Sequence, residues 1–235
     1  MTLFWRMVLA HLLADFTLQF SFVAKWKREK WFGMPLHCLT HFFTLIVLTW
    51  PFLGQNWAFG IKGWVACAII TIIHYVIDIA RVFAIRHLRL RDGLALLALD
   101  QILHYAVLFM FYAPVSVLPG QEIIASKWFI IFSLFVLASH ASSVLIYYFD
   151  KEIDSKIVFP SLGEQYFLIA ERMVLMLFFF LPGIFWMPFA FLWSVQMIMI
   201  KAYRVIDISM TGAIISFLVS IVCGTAGRIA FYGHF

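Results

Sequence analysis

Charge is scarce in this chain. Only 12% of its 235 residues are Asp, Glu, Lys or Arg, where a soluble domain carries roughly a quarter. That shortage excludes a water-facing surface around the whole molecule. Cysteine is scarce too. Cys38, Cys67 and Cys223 each lie in a hydrophobic stretch and none has CxxC spacing, so neither a disulfide framework nor a cysteine-based zinc site is suggested. Repeats, low-complexity tracts and flexible linkers are missing. The first stretch lacks a basic leader, a clean apolar core and a small-residue cleavage site, so it reads as a span rather than a signal peptide. The pI of about 9.2 does not point to nucleic acid, because basic residues in a membrane protein first set orientation.

What the chain has is apolar: 64% of its residues are hydrophobic, in recurrent runs near the roughly 20 residues that cross a bilayer. Eight segments are expected, near 2–24, 35–54, 60–86, 94–116, 123–149, 164–182, 184–201 and 210–232. The turn "LPGIFWMP" is short enough that seven spans would also be consistent. The expected fold is an all-α polytopic membrane bundle forming one integral domain. Its 1–116 half and its 123–232 helices are divided by no soluble domain. Trp26, Trp31, Trp50, Trp57, Trp64 and Trp186 fall near segment ends, as interfacial tryptophans do.

Lysine and arginine give the orientation. Lys25, Lys27, Arg28 and Lys30 of "KWKREK", Arg81, Arg86, Arg89 and Arg91, and Lys151, Lys156, Lys201 and Arg204 all fall on one side of an eight-span chain. Arg6, Lys62, Lys127 and Arg228 fall on the other. The positive-inside rule then places both termini outside. "KWKREK" reads most simply as an orientation signal, with binding of anionic headgroups as a secondary role.

Against this apolar background, four successive segments each carry one polar pair at i, i+4. They are His11/Asp15 in "HLLADFTLQ", His37/His41 in "HCLTH", His74/Asp78 in "HYVID" and Asp100/His104 in "DQILH". Residues four apart share a helix face, so both side chains of a pair can reach one metal ion. Each pair lies in the half of its segment nearer the basic loops, so antiparallel packing brings all four into one layer. Glu171 of "AERM" and His140 enter at similar depth. An aspartate at a helix centre costs about 2.5–3.5 kcal/mol to insert. Three aspartates and Glu171 carry four negative charges, which two divalent ions would balance. One HxxxD pair alone reads better as an interhelical hydrogen bond; four on consecutive helices point to metal. Gln19 and Gln101 are candidate supporting donors. His140 reads as a helix contact, His87 as a loop residue and His234 as tail.

These motifs, with the basic loop between the first two, resemble the uncharacterised bacterial membrane family known as domain of unknown function 3307, over roughly residues 7–110. The resemblance implies a bacterial inner-membrane protein and treats the four pairs as one unit. It brings no established activity.

Histidine and carboxylate suit zinc first, with manganese or iron also compatible. The expected function is a metal-dependent membrane enzyme, a hydrolase of a lipid or amphiphile working from the cytoplasmic side through one or two ions. Glu171 would serve as general base or further ligand, and Arg172 as anion clamp. The alternative is a divalent-metal transporter. Further alternatives are an iron-dependent lipid oxidase and a non-catalytic membrane partner with a structural ion or a His–Asp hydrogen-bond network.

Overall fold

The computed structural model describes residues 2–19, 23, 26–27, 30, 32–112, 125–154, 157, 159, 162–203 and 209–233. Lys25, Arg28, Trp31, Lys156, Arg204 and His234 lie outside the described residues. The helices are α1 (Thr2–Leu12), running on into a π turn at Leu13–Thr17, α2 (Gly33–Thr49), α3 (Gly63–Arg86) and α4 (Leu94–Phe111). Then come α5 (Ser126–Val136), a second π turn (Leu137–Ala141), α6 (Ser142–Ile153), α7 (Leu162–Phe178), α8 (Trp186–Ala202) and α9 (Met210–Tyr232). Among the described residues, five helical stretches are long and apolar enough to cross a membrane: Gly33–Phe52, Gly63–Arg86, Leu94–Phe111, Ser126–Ile153 and Met210–Tyr232. The chain divides into two compact units, Met1–Phe129 and Ile130–Phe235.

In the first unit α1, α2, α3 and α4 form a ring, α1 touching both α2 and α4 and α3 completing the circuit. Its polarity is the reverse of a soluble bundle. On α4 the buried stripe is Leu97, Asp100, His104, Leu108 and Phe111, while Leu99, Ile102, Leu103 and Phe109 are exposed. On α3 the buried face carries His74 and Asp78, while Ile72, Val76, Ile79 and Phe83 face out. Polar-in, apolar-out is the arrangement that hydrocarbon selects. Arg6 is buried and donates to Leu48 O at 2.9 Å, satisfying a free carbonyl at the end of α2. Trp57 is also buried and donates its indole N–H to Phe52 O at 3.0 Å. It closes the α2–α3 connection instead of facing an interface. Trp50 and Trp64, in contrast, are exposed.

The second unit is organised around α9. Gly212, Ser216, Ser220 and Gly224 recur every fourth residue along its buried face, the small-residue stripe that lets membrane helices approach closely. A Cβ at Gly224 would lie 2.5 Å from Phe179 Cδ2, and the Phe179 ring is itself buried between Leu175 and Ala190. Gly224→Val is therefore expected to destabilise the protein by about 1–3 kcal/mol through overpacking. A thermal melt in detergent, beside exposed Val222→Ala on the same helix, reads the difference.

Candidate metal centre

The four pairs occupy the inward stripe of the ring. Neighbouring helices run antiparallel, because His37 meets Asp78 while His41 meets His74, and His11 meets His104 while Asp15 meets Gln101. Reversal of direction converts four pairs into two tiers. One tier, nearer the 18–32 and 87–93 connections, holds Asp15, His37, Asp78 and Asp100. The other is all imidazole: His11, His41, His74 and His104. Its ring centroids are 3.7 Å apart for His41–His74, 4.2 Å for His74–His104, 5.1 Å for His11–His104 and 5.4 Å for His11–His41.

Asp15, His37, His41 and His74 each offer a ligand atom, and these four atoms lie within 4.8 Å of one another. His41 Nε2 is 3.0 Å and His37 Nε2 3.1 Å from Asp15 Oδ1. His37 Nε2 is 3.3 Å from His74 Nε2, and His74 Nε2 is 4.0 Å from Asp15 Oδ1. A tetrahedral ion with bonds of about 2.0–2.1 Å keeps its ligand atoms about 3.3–3.4 Å apart. Three of these four separations stand within a few tenths of an ångström of that spacing, and the His74–Asp15 separation is wider. Asp15 belongs to the π turn at the end of α1, a helix irregularity that recurs at functional sites. A cavity of about 10 Å³ lies against His11, His41, His74 and His104, the scale of a single water. Its far wall is mostly apolar: Leu45, Ile70, Val107 and Leu108, with Thr71.

Supporting contacts orient the donors. Gln101 Nε2 donates to Asp15 Oδ2 at 3.2 Å and Asp100 Oδ2 at 3.1 Å, and Gln101 Oε1 accepts from His11 Nε2 at 3.3 Å. His104 Nδ1 is 2.9 Å from the Asp100 carbonyl oxygen. A carbonyl only accepts, so Nδ1 carries the proton and Nε2 keeps its lone pair, the tautomer of a metal ligand.

Three participants were not foreseen from the residue pattern. Lys27, read above as an orientation charge, reaches Asp78 Oδ2 at 2.5 Å. Burial disfavours its charge, but Asp78, with Asp15 and Asp100, outweighs that and holds its pKa above the ordinary lysine value. Gly33 permits this approach, since a Cβ there would collide with the Trp26 carbonyl and lie 2.5 Å from Lys27 N. Arg81, counted as a loop charge, belongs to α3. It bridges Asp100 Oδ2 at 3.3 Å and Asp92 Oδ1 at 3.1 Å. Cys38, its thiol buried, forms a third possible donor group with His74 and Asp78. Arg81 was detectable, lying three residues beyond Asp78 on the same face. Lys27 was not, because it arrives from a connection with no periodicity.

Glu171 and Arg172 belong to the second unit and are held there. Gln196 Nε2 donates to Glu171 Oε1 at 3.4 Å. Fully buried Arg172 donates to Ala138 O at 2.7 Å, Ser139 O at 3.0 Å, Ser143 Oγ at 2.6 Å and Ser216 Oγ at 3.1 Å.

A family model described as protein of unknown function (DUF3307) matches residues 3–131, nearly coextensive with the first compact unit. Searches of curated proteins and of solved structures find no match. The match spans more than half of the chain and contains all eight paired residues, so the protein belongs to the DUF3307 family.

Proposed function

We propose that the first unit binds a divalent metal ion and that the protein is a membrane-embedded metal-dependent enzyme, a hydrolase of a lipid or amphiphile. The observation that carries this reading is the convergence of Asp15, His37, His41 and His74 on one small volume. Unpartnered buried atoms weigh against a self-contained hydrogen-bond network, which would satisfy them. Among the described residues His37 Nδ1, Asp100 Oδ1 and His104 Nε2 have no hydrogen-bond partner. Charge weighs the same way. Asp15, Asp78, Asp92 and Asp100 stand against Lys27 and Arg81, leaving two negative charges for one divalent ion.

Three histidines and a carboxylate suit zinc, with manganese or iron compatible. When bound, such an ion supplies Lewis acidity and a water ionised near neutral pH. Thr2–Thr17, α7 and α8 complete eight spans with the five long stretches, both termini facing outward. The tier with Lys27 and Arg81 then faces the cytoplasm of a bacterial inner membrane. Those two cations attract an anionic headgroup, and the apolar outer faces accommodate its tail. Arg172 has four N–H groups engaged within its own unit, so anion binding is assigned to Lys27 and Arg81.

Metal transport is the second reading. The apolar wall of Leu45, Ile70, Val107 and Leu108 offers no onward coordination, which conduction needs. Elemental analysis of chelator-free, tag-free protein in detergent tests the binding. Zinc flux into proteoliposomes tests the alternative. Stoichiometric metal without flux supports the enzyme; flux supports the transporter; no metal ends both.

Lys27 is a tethered competitor for the ion. Lys27→Gln is expected to tighten zinc binding about tenfold, or about 1.4 kcal/mol, by removing a cation 2.5 Å from Asp78. Competition against a chromogenic chelator measures it. Unchanged affinity would remove Lys27 from the electrostatics of the site.

A further inference from the structure

Seven of the eight paired residues divide into two donor sets that share no member. Asp15, His37, His41 and His74 form the first, and Asp78, Asp100 and His104 the second, each with its ligand atoms within 4.8 Å of one another. The second set is as buried as the first: Asp78 is 3%, Asp100 5% and His104 3% exposed. Two of its atoms have nothing to bind among the described residues. His104 Nε2 holds a lone pair fixed by the Nδ1–H bond to Asp100 O, and Asp100 Oδ1 accepts no hydrogen bond. Buried polar atoms left unsatisfied destabilise a fold, and a ligand at that point would satisfy both.

We propose that Asp78, Asp100 and His104 form a second divalent-metal site beside the first, making the centre dinuclear. This rests on the metal-binding reading of the first set. The two sites adjoin, because Asp78 Oδ2 is 3.4 Å from His74 Nε2 and 3.5 Å from His37 Nε2. Adjoining donor sets of this kind would hold two ions side by side, the arrangement two-metal hydrolytic centres use. The structure also says why the second ion binds more weakly. Lys27 holds Asp78 Oδ2 and Arg81 holds Asp100 Oδ2, so the second ion competes with both cations for these carboxylates. Arg81 keeps Asp92 as a partner at 3.1 Å if it is displaced. The chemistry implied is that of a substrate with two oxygens to hold, such as a phosphate ester, spanning both ions.

Zinc titration of the full-length protein, followed by stoichiometry, is the test. Wild type should take two equivalents, and His104→Gln and Asp100→Asn one each. His41→Gln should lose the tighter one. One equivalent in wild type, or two retained in both His104→Gln and Asp100→Asn, overturns the second site and leaves the first intact. No equivalents in wild type overturns both. If the variants do not fold, manganese-loaded wild type still decides: two adjacent Mn(II) ions give an exchange-coupled paramagnetic resonance spectrum, whereas an isolated ion gives six lines and overturns the proposal.

Discussion

On the metal-binding proposal, His74→Ala is expected to abolish stoichiometric metal binding. The His74 ring belongs to the imidazole tier, tilted against its neighbours with its centroid 3.7 Å from that of His41 and 4.2 Å from that of His104. Its Nε2 lies 3.3 Å from His37 Nε2, 3.4 Å from Asp78 Oδ2 and 4.0 Å from Asp15 Oδ1. No other histidine enters more of the possible donor groups. Losing a supporting partner of a ligand already costs about 10–100-fold in metal affinity, so losing the ligand itself should cost at least about 100-fold. Elemental analysis after chelator-free purification reads this directly. His87→Ala, an exposed change beyond the bundle, is the control and should keep full content. His74→Asn fills more of the gap, which separates loss of ligation from loss of packing. Equal metal in His74→Asn and wild type would sink the cage.

The largest effect on stability is expected at Arg172. Four hydrogen bonds anchor its guanidinium, two of them to Ala138 O and Ser139 O in the second π turn. A π turn disrupts the regular carbonyl ladder of its helix, and Arg172 supplies donors where that ladder is broken. Arg172→Met removes the charge and leaves Ala138 O and Ser139 O with only the serine hydroxyls of Ser142 and Ser143 as side-chain donors. The cost should be about 3–5 kcal/mol, the range for breaking one side of a buried charged network. Arg172→Lys should recover little, since an ammonium cannot reproduce the planar fork that reaches four acceptors. Thermal unfolding in detergent distinguishes the outcomes. A variant that melts with the wild type would mean that the network adds no net stability.

Much of the centre was legible in the sequence because it obeys helical periodicity. Asp100 and His104 sit in register with Leu97, Leu108 and Phe111, so the buried face and the polar pair coincide. His74 and Asp78 likewise continue from Ala66, Cys67 and Ile70. The two-tier arrangement follows from antiparallel packing of such stripes. What periodicity could not reveal comes from elsewhere. Lys27 reaches the centre from a connection, where no repeat marks a side chain as inward. The first segment reads as helical to residue 24, but the regular helix gives way to a π turn at Leu13–Thr17 and a bend at Leu18. Hydropathy registers the length of an apolar run and is blind to a change in its winding. Arg172 reads from the sequence as an anion clamp, whereas the four acceptors that claim it come from segments distant in sequence.

The reversed polarity of the first unit bears on how the protein is made. Asp15 reaches the bilayer long before Gln101 and His104 have been synthesised, and an aspartate in a lone span opposes insertion by about 2.5–3.5 kcal/mol. The α1–α2 hairpin brings His37 and His41 within 3.1 Å and 3.0 Å of that carboxylate, and α3 then adds His74. A nascent chain that has released α3 therefore carries all four donors of the first set, whereas the second waits for α4. On the metal-binding proposal, the first site could then be filled before the second has been synthesised.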